Sequence, residues 1–362
     1  MIFNLKKNLE KKPVEVSVPC RIDMGGSLDI DTFSYPLRYL YPCTFNIALD
    51  LRTLVGLFPY KEGRIKVTSR GFKSSDYSPD RAPFNHPLGL MFAIAAYFRA
   101  EGVHIIIDSS SPPRSALGGS SAAAVALVTA FLVVSEKVRI APKLKKKVAL
   151  LSHALEESVA GVPCGRQDQL AAAFGGVNAW YWQTGNEGPP YIKETIVKKA
   201  DFKRLEKHLL LAYCGVPHES KNVNGIWVSQ FLAGRYRRFW EEIAVNTKKF
   251  VDALAERNYK KAVVAMNREM VIRRKMTPEV LDDMGEKLVN SAVKNNCGAR
   301  FTGAGGGGCI WALGEINDID RLRVIWKKLL ATQKGASLLD VKIDSKGLKI
   351  EGRRYKGRRE KK

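Results

Sequence analysis

A mixed α/β chain divided into two domains is what the sequence predicts, on three observations. Its 362 residues are more than one compact core ordinarily organises. Stretches of period two and period 3.6 interleave along the whole length. A gap rich in Gly and Pro, QTGNEGPP at 183–190, interrupts them and marks the expected boundary. Hydrophobic content of 45% and charged content of 26% are ordinary for a globular protein, so disordered and fibrous classes are excluded.

The elements follow in order. Alternation over Val14–Val18, Phe45–Leu57 and Ile65–Thr68 predicts strands, and Pro87–Ala100 a helix. The β-branched run Val103–Ile107 is a strand leading into SPPRSALGGSSAAAVALVTAFL, residues 111–132. Helices are expected over Ser120–Val134, Leu144–Val159 and Gln167–Phe174, then strands over Val177–Trp182, Tyr191–Val197 and His208–Tyr213. The later part reads as helix from Val223 to Ala255, Tyr259 to Arg274 and Pro278 to Asn295. Strands at Ala299–Thr302 and Gly308–Leu313, a helix over Ile319–Leu330 and a strand near Leu338–Ile343 complete it, with no internal repeat.

The first fifteen residues hold no apolar run of the secretory kind, and the apolar window Ala122–Val134 is short for a membrane span. Six scattered cysteines without a C-x-x-C pair speak for packing roles in a cytoplasmic protein rather than a disulfide frame or zinc site. Net charge is +23, of which +7 falls in the last seventeen residues, read as a solvated tail from Lys346 onward. Further clusters stand at Lys143–Lys147 and Arg273–Lys275. Such a field attracts polyphosphates, acidic sugars or nucleic acid alike. Without zinc-finger spacing or an aromatic RNA-binding signature, nucleic acid is a minor expectation.

Three stretches carry chemistry. Gly118-Gly119-Ser120-Ser121, after a strand and at a helix start, has the parts of a phosphate cradle: glycines admit an anion to the backbone and the helix dipole favours it. The same residues equally make a glycine turn with a capped helix. No G-x-x-x-x-G-K-[ST] occurs, which excludes the common P-loop. GARFTGAGGGGC, residues 298–309, places five glycines in the six positions 303–308. Each costs roughly 0.5–1 kcal/mol to order relative to alanine, more than a hairpin needs, so a loop lying against a ligand is favoured. In HALEESVAGVPCGRQDQLAAAFGG, residues 153–176, Glu156 and Asp168 flank the turn Gly161-Val162-Pro163 and can meet over one metal–phosphate centre. The alternatives are a solvated Glu156 and an Asp168 that caps its helix.

These stretches, with VPCRIDMGGSLDI at 18–30, resemble the GHMP kinases in order and across nearly the whole chain. PPRSALGGSSAAAVAL resembles the family's ATP-phosphate motif, while GVPCGRQDQ and GARFTGAGGGGC have a galactokinase character. The resemblance implies an α+β fold of two domains: an N-terminal ribosomal-protein-like α/β unit with a left-handed crossover over 1–188, and a C-terminal ferredoxin-like α+β unit over 189–345, with 346–362 as a basic tail. It implies ATP and Mg²⁺ as cofactors. Ser121 and Glu156 are the implied metal ligands. Pro113, Leu117, Gly118, Gly119, Ser120, Ser121 and Ala122, with Gly303, Gly305 and Gly306, are the implied nucleotide contacts. Asp168 is the implied base or orienting group and Arg21 the stabiliser of the transferring phosphoryl group. Gly26, Asp29 and Asp168 would meet the acceptor, with Asp31 an alternative to Asp29.

Some positions depart from the pattern. Gly25-Gly26-Ser27-Leu28-Asp29 is one residue shorter than the galactokinase stretch, lacks its Glu-His, and is closer to heptose-phosphate and fucose-type kinases. Asp23 stands where relatives often have Asn or Ser, and Ala116 stands where a glycine is usual. The expected activity is ATP-dependent phosphorylation of a hydroxyl, anomeric by expectation, on a hexose, heptose or sugar phosphate. A kinase for mevalonate or homoserine, and a sugar- and ATP-binding regulator without catalysis, are the alternatives. No membrane partner is expected, and the chain would be a monomer or homodimer.

Overall fold

The computed structural model describes residues 5–136, 138–161, 163–184, 188–217 and 223–351. Val162, the middle of the expected linker and the last eleven residues of the expected tail lie outside the described residues. Within them the chain forms two sheets, each covered by helices, which bears out the two-domain α+β architecture.

The larger sheet has the order β12-β1-β2-β5-β3-β4, with β6 on β2 and β7 on β6. Its strands are β1 (Val14–Met24), β2 (Cys43–Pro59), β3 (Ile65–Ser69), β4 (Ser75–Tyr77), β5 (Val103–Ser109), β6 (Val177–Trp182), β7 (Tyr191–Val197) and β12 (Lys349–Glu351). At seventeen residues β2 is long enough to hold two partners along one edge. Cys43–Ile47 pairs with β6 and Thr53–Pro59 with β5, while β1 runs antiparallel along the other edge. Among the described residues only β3 and β5 pair in parallel, joined through α3 (Gly89–Tyr97). The smaller sheet is antiparallel, β11-β8-β10-β9, from Ser337–Leu338, Leu209–Tyr213, Cys309–Leu313 and Gly298–Phe301.

The helices are α1 (Leu5–Lys11), α2 (Asp31–Ser34), α3, α4 (Gly119–Glu136), α5 (Pro142–Ala160), α6 (Gln167–Phe174), α7 (Phe202–Glu206), α8 (Val223–Leu232), α9 (Arg237–Ala255), α10 (Tyr259–Met276), α11 (Asp283–Lys294) and α12 (Ile316–Leu330). By length and composition α4 is apolar enough to cross a membrane, yet 67% of it is buried, packed against β1, β2, α5 and α6. The continuous helix expected from Val223 to Ala255 is two, because Gly234 (φ 78°) and Tyr236 (φ 60°) enter the left-handed region and turn the chain. The one expected from Pro278 starts as a 3₁₀ turn; α11 proper begins after Asp282, whose carboxylate accepts the Gly285 N–H at 2.6 Å.

Three readings of the sequence change. A boundary at 188/189 falls between β6 and β7, which pair with each other in the larger sheet from Val177↔Val197 to Trp182↔Tyr191. A tail from Lys346 is too early: β12 pairs with β1, Leu348 is buried, and Arg52 donates to the Gly347 carbonyl at 2.8 Å. Arg273 is no surface charge; it is fully buried, with its guanidinium 4.5 Å from the Trp227 ring and 4.7 Å from that of Trp240.

The two cores interlock. Leu28, Ile30, Phe33 and Leu37, just after β1, pack into the second core, whereas Cys309, Trp311 and Leu313 of β10 pack into the first. Burial of these exchanged apolar groups, at about 25 cal/mol per Å² removed from water, holds the end of β1 against the smaller sheet. The six cysteines are free thiols, all but Cys164 buried.

Candidate active site

Between the sheets lies a cavity of about 760 Å³ lined by the end of β1, the 111–121 loop, the start of α4, the α5–α6 corner and Gly303-Ala304. Each wall has a local cause. The 111–118 loop lies along β1, where the Arg21 N–H donates to the Leu117 carbonyl at 3.1 Å. Arg114 (φ 53°), Ala116 (φ 59°) and Gly118 (φ 76°) all take left-handed backbone. That explains why a glycine is at home at 116: alanine is held there by the contacts its carbonyl makes, at a cost of about 1 kcal/mol. Gly118 has a second constraint, since a Cβ would stand 3.3 Å from Asp168 Oδ2 and 3.4 Å from Arg21 Nε.

The glycine-rich 303–308 loop closes onto this one. All four of Gly305, Gly306, Gly307 and Gly308 have positive φ, and a Cβ on Gly308 would meet the Ser115 carbonyl oxygen at 2.7 Å. The Gly303 N–H donates to Asp23 Oδ1 at 2.8 Å. The glycines therefore serve a close approach of two backbones.

At the centre Arg21 holds Asp168 by a bidentate pair, Nε to Oδ1 and Nη2 to Oδ2, both 2.7 Å. Arg21 Nη1 donates to the Ala116 carbonyl at 2.7 Å and stands 3.4 Å from Asp23. Only 4% of Arg21 is exposed, against 21% of Asp168. Burial works against the Arg21 charge, but Asp168 and then Asp23 outweigh it and hold the group more basic than an ordinary arginine. Asp168 sits in the first turn of α6 with both carboxylate oxygens taken by Arg21.

Glu156, on α5, accepts a hydrogen bond from Gln169 Nε2 at 2.8 Å and has the Ser121 and Ser120 side chains beside its carboxyl. Burial pushes its carboxyl up, the Ser121 bond opposes the rise and the Asp168 charge adds to it. Asp29 is 2% exposed. Its Oδ2 accepts the Gln167 N–H at 2.9 Å, while Oδ1 is buried with no hydrogen-bond partner. Burial lifts this carboxyl to about 6 against the Gln167 bond, with the Asp168 charge adding to the shift. Near it Ser27 Oγ donates to Asn224 Oδ1 at 2.9 Å. The far end is apolar, with Phe72, Pro87, Leu88, Leu90, Met91 and Ile107.

Of the residues singled out in the sequence, Arg21, Asp29, Pro113, Leu117, Gly118, Gly119, Ser120, Ser121, Glu156, Asp168 and Gly303 line this one cavity. Ala122, Gly305, Gly306 and Gly26 do not. Ala122 is turned into the core, and Gly305 packs on Val280, where a Cβ would stand 2.5 Å from the carbonyl oxygen. The Gly306 N–H donates to the same carbonyl at 2.8 Å, and the Gly26 carbonyl accepts from Arg273 at 2.6 Å. Asp31 is drawn away by a bidentate bond from Arg166, 2.7 Å on both arms. Sequence reasoning missed Gln167, Gln169 and Asn224, which carry no charge or spacing signal, and the arginines behind Asp23.

Comparison with known proteins agrees with this arrangement. Residues 85–176 match the profile of the GHMP kinases N terminal domain. A mevalonate kinase of Thermococcus onnurineus is 27% identical over 84% of this chain and 90% of its own length. A D-glycero-alpha-D-manno-heptose 7-phosphate kinase of Campylobacter jejuni is 24% identical over 55% of this chain and 58% of its own. The crystal structure of Lactococcus lactis galactokinase complexed with galactose superposes with a TM-score of 0.70 at 17% identity, covering 94% of this chain and 95% of that one. The segment 85–176 is thus similar to the N-terminal domain of GHMP kinases, and the proteins similar to the chain over most of its length are kinases of small molecules.

Proposed function

We propose that the chain transfers the γ-phosphoryl group of ATP to a hydroxyl of a neutral polyol, a hexose, a heptose or a sugar phosphate with its polyol end inward. The observation that carries this reading is Asp29: a buried carboxylate oxygen without a partner, in a wall otherwise furnished with Ser27, Asn224 and Gln167. Such a wall offers acceptors and amides to sugar hydroxyls. The glycine-rich 111–121 loop and the dipole of α4 would take the triphosphate, and the apolar end the base.

The donor set fits Mg²⁺ as part of its nucleotide complex. Ser121 and Glu156 supply hard oxygen donors side by side, and among the described residues no cluster of three His, Cys, Asp or Glu would hold a metal alone. Bound there, Mg²⁺ would neutralise charge on the phosphates. Asp168 faces the position of the acceptor hydroxyl and would orient it and accept its proton. Arg21 is committed to Asp168 and Ala116, so its first task is to fix the direction of that carboxylate. Catalysis then rests on positioning and charge, as phosphoryl transfer requires.

A second reading, a kinase for mevalonate, is favoured by the mevalonate kinase that is similar along 84% of this chain. A carboxylate acceptor needs a free cation, however. Near Asp29 the described arginine is Arg166, already paired with Asp31, while Arg70 and Arg114 belong to the loop end. ATP consumption measured over hexoses, heptoses, their phosphates, mevalonate and homoserine tests the choice. Turnover confined to mevalonate or homoserine would overturn the polyol reading.

A further inference from the structure

Behind the cavity a chain of buried charges joins the two sheets. Asp23, on β1, presents Oδ2 and its backbone carbonyl to Arg300 Nη1, at 2.9 and 2.6 Å. Arg300, on β9, donates from Nε to Glu269 Oε2 at 3.2 Å and from Nη2 to Oε1 at 3.3 Å. Glu269 also accepts from Arg273 at 2.8 Å, and Arg273 reaches the Gly26 carbonyl. Asp23, Glu269, Arg273 and Arg300 have no exposed side-chain surface. Adding Arg21 and Asp168 gives three cations and three anions, so the chain balances.

We infer that Arg300 is a positioning residue for the reaction: by drawing Asp23 to itself it leaves Arg21 to Asp168, and it thereby sets the aim of the carboxylate that faces the acceptor. Asp23 stands between two guanidiniums and favours one. It is 2.9 Å from Arg300 but 3.4 Å from Arg21, and Arg21 lies at 2.7 Å from Asp168 on both arms. Without Arg300, the nearest cation left to Asp23 is Arg21, and the two carboxylates would compete for it. The same Asp23 also anchors the Gly303 N–H, so the competition would loosen the 303–308 loop. The inference rests on the phosphotransfer reading for its kinetic consequence but not for the ion-pair competition itself.

Two measurements test it. In turnover, Arg300→Met should lower kcat about thirtyfold or more with ATP affinity within about threefold. Arg300→Lys, which cannot bridge both carboxylates with a fork, should fall between Met and wild type. Asp23→Asn with Arg300→Met, which removes one charge of each sign, should recover about tenfold of the loss. In unfolding, the coupling between Arg21→Met and Asp168→Asn is measured as a ratio of equilibrium constants in each background. It should shrink to about threefold or less beside Arg300→Met and return in the Asp23→Asn, Arg300→Met pair. If Arg300→Met does not fold, the lysine and charge-balanced variants decide the outcome. Unchanged Arg21–Asp168 coupling in the Lys variant, or a charge-balanced variant as slow as Arg300→Met, would overturn the inference. A wild-type chain that turns over no acceptor while the coupling behaves as expected would count against the phosphotransfer reading alone.

Discussion

Two groups of buried carboxylates, one in the cavity and one behind it, behave oppositely. Asp29 and Glu156 in the cavity are pushed upward by burial, and Asp29 keeps one oxygen unpaired. Glu269, behind the cavity, is also pushed upward by burial, but Arg300 and then Arg273 overcome this and hold it below its usual range. The carboxylates of the clasp already have their guanidinium partners, although Arg273 Nη1 is left unpaired, whereas Asp29 Oδ1 in the cavity has no partner. A buried acid without its counter-charge is costly to keep ionised, and such a cost is characteristic of a site that finishes itself by binding.

The largest effect should come from breaking the one pair that spans both groups. Asp168→Asn is expected to lower kcat by about 10²–10⁴ while leaving ATP affinity within about threefold; stopped-assay rates and calorimetric titration check this. Normal rates would remove Asp168 from the reaction.

Asp29→Asn sharpens the contrast through stability. The folded Asp29 carboxyl lies at about 6, above the ordinary 3.8, so the folded state holds its proton more tightly than the unfolded chain does. Stability contributed by this group is present below the unfolded value and falls as pH rises through 6. The asparagine variant should therefore be the more stable protein at pH 7.5, by about 2–3 kcal/mol at most, with the gain gone near pH 4. Thermal melts across that range measure it, and its acceptor affinity at pH 7.5 should fall at least about tenfold. Glu156→Gln is expected to raise the Mg²⁺ needed for half activity roughly tenfold, equal to ~1.4 kcal/mol, in a metal titration at saturating ATP.

The two glycine-rich loops divide in the same way. Gly308→Ala should destabilise the fold by about 1–3 kcal/mol, from its φ of 89° and the Ser115 contact. Gly119, with nothing within 4 Å of a Cβ, should tolerate alanine within about 0.5 kcal/mol and change nucleotide affinity alone. Smallest of all, removing residues 352–362 should leave melting and turnover unchanged. Removal from Lys346 should destabilise by about 2 kcal/mol or more, with Leu348 and β12 lost.

Much of this was legible beforehand, for identifiable reasons. The bounds of α6, β6 and β7 follow from punctuation: Gly165 and Gly175-Gly176 bracket α6, and the Gly- and Pro-rich 183–190 stretch ends β6 and opens β7. The meeting of Asp168, Glu156 and Ser121 was legible from motif order. What stayed hidden depends on contacts far apart in sequence. Leu348 and Ile350 alternate as a strand should, but the lysines and arginines around them read as a tail, and only pairing with β1 decides otherwise. Arg300 sits between alanine and phenylalanine in a strand, and Glu269–Arg273 is an i, i+4 pair. Both are legible as signals of charge, yet neither tells that Arg300 will pair with Asp23, more than two hundred residues earlier, and with Glu269.

The central claim is that the cavity carboxylates are completed by a neutral hydroxylic acceptor. Its most direct test is the number of protons exchanged when the acceptor identified by turnover binds, from calorimetry at pH 6 in buffers of different ionisation enthalpy. A hydroxyl donated to ionised Asp29 lowers its pKa, so binding should release protons, and Asp29→Asn should abolish the release. Proton uptake on binding, or a release unaffected by Asp29→Asn, would contradict the account.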